Sequence, residues 1–386
     1  MGNNATIEYN PREGLDNLPQ GFRTFCIVFQ SLLSLTGTLG NLLTLVAVFS
    51  CKKLRRTHNA YIAHLAFVDL LISGFLVPTN IYGLSQEKMQ DDSISCKVVG
   101  IISLAALVAS ILSLFMVALN RYVLICKGMQ TYIKMYNKMT IPISIGLIWV
   151  WAFAVVLPML TFNGIGWSIK THYCFFINYD FITFIYICVG LAQAGVIIPA
   201  AGTSICYLLI IKKLKATALK LAPKSGSSAA KEAMTPSSSS NGGHEISQLP
   251  TATDMSSFDE EDIDEQEQLE SKIEHTNNKN KLQVPHFNAQ LKRQRAKQRA
   301  HNRRVLGLIA IFTIFMICWL PIAVTFTIDY KQQLPGLVYV ALISVAWINS
   351  SINVFLYAFT NQTYRQAFTC LLKCRFSEIN SNFLPK

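Results

Sequence analysis

Long apolar runs separated by short polar turns dominate the chain. Runs of about 20 residues, the length that crosses a bilayer, lie near 24–50, 59–83, 97–126, 139–163, 181–212, 304–328 and 336–359. Phe181–Ile211 and Val305–Thr327 contain no charge at all. Lipid offers no partner to an unpaired backbone group, so each run is predicted to be helical. Barrel strands would be about half as long and would alternate apolar with polar residues. Pro78, Pro158, Pro199 and Pro321 are expected as kinks that neighbouring helices cover. The pattern predicts an all-α membrane protein, a seven-transmembrane helix bundle. Past the last run, Tyr364, Phe368, Leu371 and Leu372 fall on one face of Asn361–Lys373, opposite Gln366. That predicts an amphipathic C-terminal helix lying at the membrane surface.

Composition supports this picture: 51% of the 386 residues are hydrophobic and only 15% charged, against about 25% charged in soluble domains. Ten cysteines are too few for a disulfide scaffold in a chain this long. In a soluble protein a net charge of +12 would point to nucleic acid. Here the charge sits in the turns and sets orientation, so no nucleic-acid partner is expected. Lys52, Lys53, Arg55 and Arg56 follow the first run, Lys127, Lys134 and Lys138 the third, and Lys292–Arg304 precede the sixth. The turn after the second run has Lys88 among Glu87, Asp91 and Asp92. The N-terminus is therefore expected outside and the C-terminus in the cytosol.

Met1–Arg23 contains no apolar stretch of the kind a cleavable leader needs. Asn4 opens an outward glycosylation sequon; those at Asn349 and Asn361 fall in a helix and in the cytosol and are read as chance. A polar insert opens Ser/Gly-rich (Ser225–Gly243), turns acidic (Asp254–Glu270) and ends basic. Its centre buries too little apolar surface to order, while its basic end is expected as a helix extension at an anionic membrane face. The chain thus divides into an extracellular segment 1–23, helices one to five in 24–214, a largely disordered third intracellular loop 215–303, helices six and seven in 304–359, and an amphipathic helix and tail 360–386.

Ionisable groups in lipid are costly and mark function by default. Asp69 lies mid-way along the second run and Arg121 at the inner end of the third. Asn41, Ser110, Asn349, Ser350 and Asn353 add neutral oxygens. Converging on Asp69, they would form a small polar pocket fit for a sodium ion or ordered water; hydrogen-bonded glue between helices is the alternative. The polar set is expected to stop at Asp69, leaving an apolar outer half.

The motifs here are Gly40-Asn41, Leu65-Ala66-Phe67-Val68-Asp69, Asn120-Arg121-Tyr122, Trp149, Pro199 with Tyr207, Cys318-Trp319-Leu320-Pro321 and Asn353-Val354-Phe355-Leu356-Tyr357. In this order and at these depths, they resemble the class A (rhodopsin-like) G-protein-coupled receptors across all seven runs. Ser110-Ile111-Leu112-Ser113-Leu114, Ala118-Leu119-Asn120-Arg121-Tyr122 and Trp347-Ile348-Asn349 resemble the medium-chain fatty-acid receptor. The Asn-Arg-Tyr form also resembles melatonin receptors and the insect Moody and Trapped-in-endoderm receptors.

The resemblance implies a disulfide between Cys96 and Cys174, and a sodium site at Asp69, Ser110, Asn349 and Asn353. It implies a transmission core of Pro199, Ile111 and Phe315, and Trp319, two residues before Pro321, as the toggle beneath the ligand. Arg121, next to Tyr122, would swing toward Tyr207 and Tyr357 to open a G-protein cleft. It further implies a plasma-membrane transducer with no catalysis, heterotrimeric G proteins of the inhibitory class as partners, and arrestin and receptor kinases beside them. Two departures stand out. Asn120 replaces the usual acid, and His301 stands where a second acid often lies, so the inactive-state lock has neither carboxylate and basal signalling is expected to rise. Val354 replaces the helix-seven proline.

By alignment the ligand-facing residues are Ser103, Leu104, Leu107, Tyr173, Ile322, Phe326, Tyr339, Ile343 and Trp347. None is charged, and Ser103 stands where an amine ligand would need a carboxylate. Ala341–Phe359 has no lysine for a retinal Schiff base. The pocket suits a lipid or small amphipathic ligand. Lys170 and His172 are either receivers of a carboxylate or solvated loop residues. Cys370 and Cys374 are candidate palmitoylation sites. The rival class, a transporter or channel, would need a polar path through the bundle. An intramembrane protease would need a second acid, and no HExxH or GxSxG string is present.

Overall fold

The computed structural model describes residues 18–86, 93–177, 181–220, 284–329 and 333–375. Asn4, the acidic turn around Lys88 and the centre of the third inner loop lie outside them. Helix one is Gln20–Ser50, helix two Ala60–Ser85, helix three Ile94–Lys127 and helix four Thr140–Leu160. Helix five begins at Phe181–Ile185 and continues through Tyr186–Ile197 and Ile198–Lys220. Helix six is Val284–Ile328 and helix seven Gly336–Thr360. A short inner-loop helix, Met129–Met135, follows helix three, and a terminal helix, Gln362–Leu372, follows helix seven. All seven long helices are apolar and long enough to cross a membrane.

The sides of these helices reverse the polarity of a soluble bundle. Helix one exposes Phe25, Leu32, Leu39 and Phe49 and buries Gln30, Gly37, Gly40, Asn41 and Thr44. Apolar outside and polar inside is the arrangement that lipid selects. Close packing uses the small residues: a Cβ at Gly40 would lie 2.5 Å from Val354 Cγ1. The valine standing in place of a proline thus fills the slot that the glycine leaves, and helix seven runs through without an internal proline.

The prolines act through their neighbours. In helix two, Ile72–Leu76 is π-helical, and the Val77 N–H just before Pro78 reaches back to the Ile72 carbonyl. The Ser73 carbonyl, which an α-helix would have paired with that N–H, accepts instead from Ser34 Oγ at 2.8 Å. Helix five repeats the device. Ile198, before Pro199, donates to Gln193, and the released Ala194 carbonyl accepts from Trp151 Nε1 of helix four at 3.3 Å. Each released carbonyl is thereby satisfied by a neighbouring helix, as the bilayer interior demands.

Helix five reaches Lys220 and helix six starts at Val284, which takes in the helix extension expected at the basic end of the third loop. Residues 284–303 are rich in Arg, Lys, Gln and Ala, strong helix formers that carry the helix into water. Leu372 leaves the face on which it was expected: Tyr364, Phe368 and Leu371 are buried, whereas Leu372 is exposed.

Candidate functional site

At the outer end, β1 (Ile165–Ser168) and β2 (Tyr173–Phe176) form an antiparallel hairpin in which Trp167 faces Cys174. A disulfide joins Cys174 to Cys96 at the start of helix three. Gly83 of helix two admits the hairpin so closely that a Cβ there would strike the His172 carbonyl. Every strand residue is buried. Tyr173 meets Ser103 of helix three, oxygen to oxygen, at 2.6 Å and sets its ring edge-on to Trp347 at 5.9 Å. Burial pushes the Tyr173 phenol up to about 12, despite the lowering contacts of Ser103 and Thr79, so the group stays neutral. Phe176 lies 4.3 Å from Phe326, which packs 5.1 Å from Tyr339.

Asn80 ties this layer together. Its Oδ1 accepts from Trp347 Nε1 at 3.1 Å, and its Nδ2 points to the Thr171 carbonyl at 3.5 Å. At the same outer end, Asp329 accepts from the Leu334 and Gln333 N–H groups and from Tyr339 OH. Burial alone would raise the Asp329 pKa. These donors and the nearby Lys170 charge outweigh it and hold the carboxyl below its ordinary value. Lys170 Nζ itself donates to the Leu334 carbonyl at 2.9 Å, joining the second outer loop to the third.

From Trp347 the rings continue inward, to Trp319 at 6.2 Å and then Phe315 at 6.4 Å. Phe315 shares one buried cluster with Ile111, and Pro199 is buried as well. Beside this column lies the polar set. Asn353 Nδ2 donates to Asp69 Oδ2 at 2.6 Å, and Asn41 Nδ2 donates to the Ser350 carbonyl at 2.7 Å. Asp69 Oδ1, Ser110 Oγ, Asn349 Oδ1, Asn353 Oδ1 and Asn41 Oδ1 are buried without a hydrogen-bond partner. An oxygen-rich set with open lone pairs fits a hard cation or bridging water. Farther in, Arg121 lies near the inner end of helix three, and the Tyr207 ring lies 6.2 Å from Phe312. Tyr357 stacks on Tyr364 at 5.3 Å. Asn120 Nδ2 points to Tyr132 OH of the inner-loop helix at 3.4 Å.

The family described as 7 transmembrane receptor (rhodopsin family) matches residues 40–357, most of the chain. The chain belongs to this family. The receptor is 25% identical over 370 residues to the G-protein coupled receptor moody of Drosophila melanogaster, covering 92% of this chain and 52% of that protein. It is 28% identical over 177 residues to the melatonin receptor type 1B-A of Danio rerio, covering 46% of this chain and 60% of that one. The receptor thus spans little more than half the length of these relatives. Squid rhodopsin shares the fold, with a TM-score of 0.69 at 18% identity, covering 100% of this chain and 97% of that one.

Among the predicted residues, Tyr173 meets Ser103 and Trp347, Trp319 meets Trp347 and Phe315, and Asn353 meets Asp69, while Ser110 and Asn349 are buried. The side chain of His301 lies outside the described residues. Cys370 is buried with Tyr364, Ala367, Phe368 and Leu371, while Cys374 beyond the helix end is exposed. The expectation of an outer half without buried polar groups fails, because Gln30, Asn80, Thr171 and Ser344 are buried there, with Gln30 Nε2 donating to Ser344 Oγ at 2.9 Å. Gln30 and Asn80 are single amides flanking apolar residues and a proline; an inventory centred on charge passes over them. His64, an ionisable residue inside the second run, was missed although the rule that named Asp69 applies to it. It meets Ser113 Oγ at 2.8 Å and lies edge-on to Trp149.

Proposed function

We propose that this receptor passes an extracellular signal, carried by a lipid or small amphipathic ligand, to heterotrimeric G proteins of the inhibitory class, with raised basal activity. The supporting observation is the continuous column of rings from Phe176 and Tyr173 through Trp347 and Trp319 to Phe315. It links a pocket lined by uncharged residues to the core that repacks on activation. Ligand contacts at one end can then bias a bistable bundle at the other. Ser103, Leu104, Leu107, Ile322 and Ile343 supply the apolar walls and one hydroxyl, with Tyr173, Phe326, Tyr339 and Trp347 as the ring-bearing contacts.

The basic inner turns orient the receptor in the plasma membrane with its N-terminus outside, where Asn4 is the glycosylation site. Cys374 is the acylation site, and arrestin and receptor kinases act on the same inner face. A sodium ion at Asp69, held with Ser110, Asn349, Ser350 and Asn353, would supply a positive charge that favours one packing of the bundle. Arg121, Tyr207 and Tyr357 form the G-protein-facing switch.

Ligand-free activation measured across the Gα classes, beside Arg121→Ala at matched surface expression, tests this reading. Basal activity in the inhibitory class that Arg121→Ala abolishes is expected. Silence in every class, or activity untouched by the substitution, would overturn it. Asn120→Asp places a carboxylate beside Arg121 and Tyr132 and is expected to lower that basal level several-fold; an unchanged level would remove the missing-lock argument.

A further inference from the structure

Helix seven ends at Thr360, and the N–H groups just beyond it are already committed. The Thr363 N–H donates to Asn361 Oδ1, which caps the terminal helix. An uninterrupted helix would have sent that N–H to the Phe359 carbonyl, four residues earlier. The carbonyl is therefore one of the acceptors that a helix C-terminus leaves open. Arg303 of helix six fills it, its Nη2 donating to Phe359 O at 2.9 Å. A cation at the negative end of a helix dipole is also favourably placed. One turn farther along helix six and on the same face, Gly307 sits so tightly against Thr360 that a Cβ would collide with it. A close glycine contact and a charge-assisted bond thus seat the inner end of helix six on helix seven.

The family's usual restraint on that end would come from helix three, where this chain has Asn120 in place of an acid. We propose that Arg303 is a latch: its bond to the Phe359 carbonyl holds helix six against helix seven and opposes opening of the inner cleft. The bond is solvent-exposed, so its restraint is weaker than that of a buried carboxylate pair. This agrees with a raised but finite basal level. The latch has two sides. Arg303 supplies the donor, and Asn361 keeps the acceptor open by occupying the Thr363 N–H.

The inference uses the receptor reading only in taking helix six as the part that opens, so its test includes a readout without G protein. A fluorescent amino acid incorporated at Leu306, an exposed position near the inner end of helix six, reports that end in the full-length receptor in lipid nanodiscs. Arg303→Gln is expected to shift the probe toward its open signal. It is also expected to raise basal G-protein activation roughly two- to fivefold. Asn361→Ala is expected to act in the same direction, and the double variant to be no more active than the stronger single one. A probe signal unmoved by Arg303→Gln, a fall in basal activity, or additive effects in the double variant would overturn the latch. Because the probe reports without G protein, a receptor that couples to no Gα class would still show whether the latch exists.

Discussion

The hydroxyls of Ser103 and Tyr173 meet at 2.6 Å, and the Val99 carbonyl lies 2.7 Å from Ser103 Oγ as a second acceptor. With the serine proton on that carbonyl, the phenol is the donor in the 2.6 Å contact. Tyr173→Phe removes that donor and is expected to cost about 1 kcal/mol. Ser103→Ala leaves the buried phenol with the Thr79 contact alone and is expected to cost about as much. Thermal unfolding of the two single variants and the double should give a double-variant loss smaller than the sum; strictly additive losses would mean the two hydroxyls do not interact. Ser103 and Trp347 are legible in sequence because motifs at fixed spacing number the helices around them. Phe175 and Phe176 are not, because nothing in an irregular outer loop says which aromatic turns into the bundle. That is decided by the hairpin register and the disulfide.

Between elements, fit depends on single atoms that composition does not reveal. The seven helices are readable because lipid forces every spanning segment to be long, apolar and helical. The π-helical stretches are not, since one extra residue in a turn leaves no mark on hydropathy; only Pro78 and Pro199 hint that the ladder must adjust nearby. The Gly40–Val354 contact is of the same kind. Sequence marks Gly40 as part of a motif and Val354 as a departure but not that the two touch, and a Cβ on the glycine would sit 2.5 Å from the valine. Gly40→Ala is expected to destabilise the receptor by about 1–3 kcal/mol through overpacking. Val354→Ala on that background opens the space and is expected to restore most of the loss. Surface expression and thermal midpoints of the set read this directly. A Gly40→Ala protein as stable as the parent would show that helices one and seven can shift apart freely.

Across the whole molecule, the polar set occupies the level where helices one, two, three and seven meet between pocket and switch. It was legible in sequence as residue types at one depth, but whether it was glue or a site could not be read from types alone. The hydrogen bonds separate the two readings in part. Asn41 and Asn353 spend their N–H groups on the Ser350 carbonyl and on Asp69, as glue does. Five oxygens are left without a protein donor and are open to water or a cation. A cation bound among them would add its binding free energy only to the packing that keeps those oxygens together. Sodium is therefore expected to stabilise that packing by about 1.4 kcal/mol at a tenfold excess over its Kd, raising the thermal midpoint and lowering basal activity, whereas potassium at equal ionic strength leaves both unchanged. Asp69→Asn should remove the sodium response while retaining the hydrogen bond to Asn353, because an amide oxygen still accepts it. Equal responses to sodium and potassium would instead assign the five oxygens to water, and would make the cluster a hydrated hinge that the ligand alone can bias.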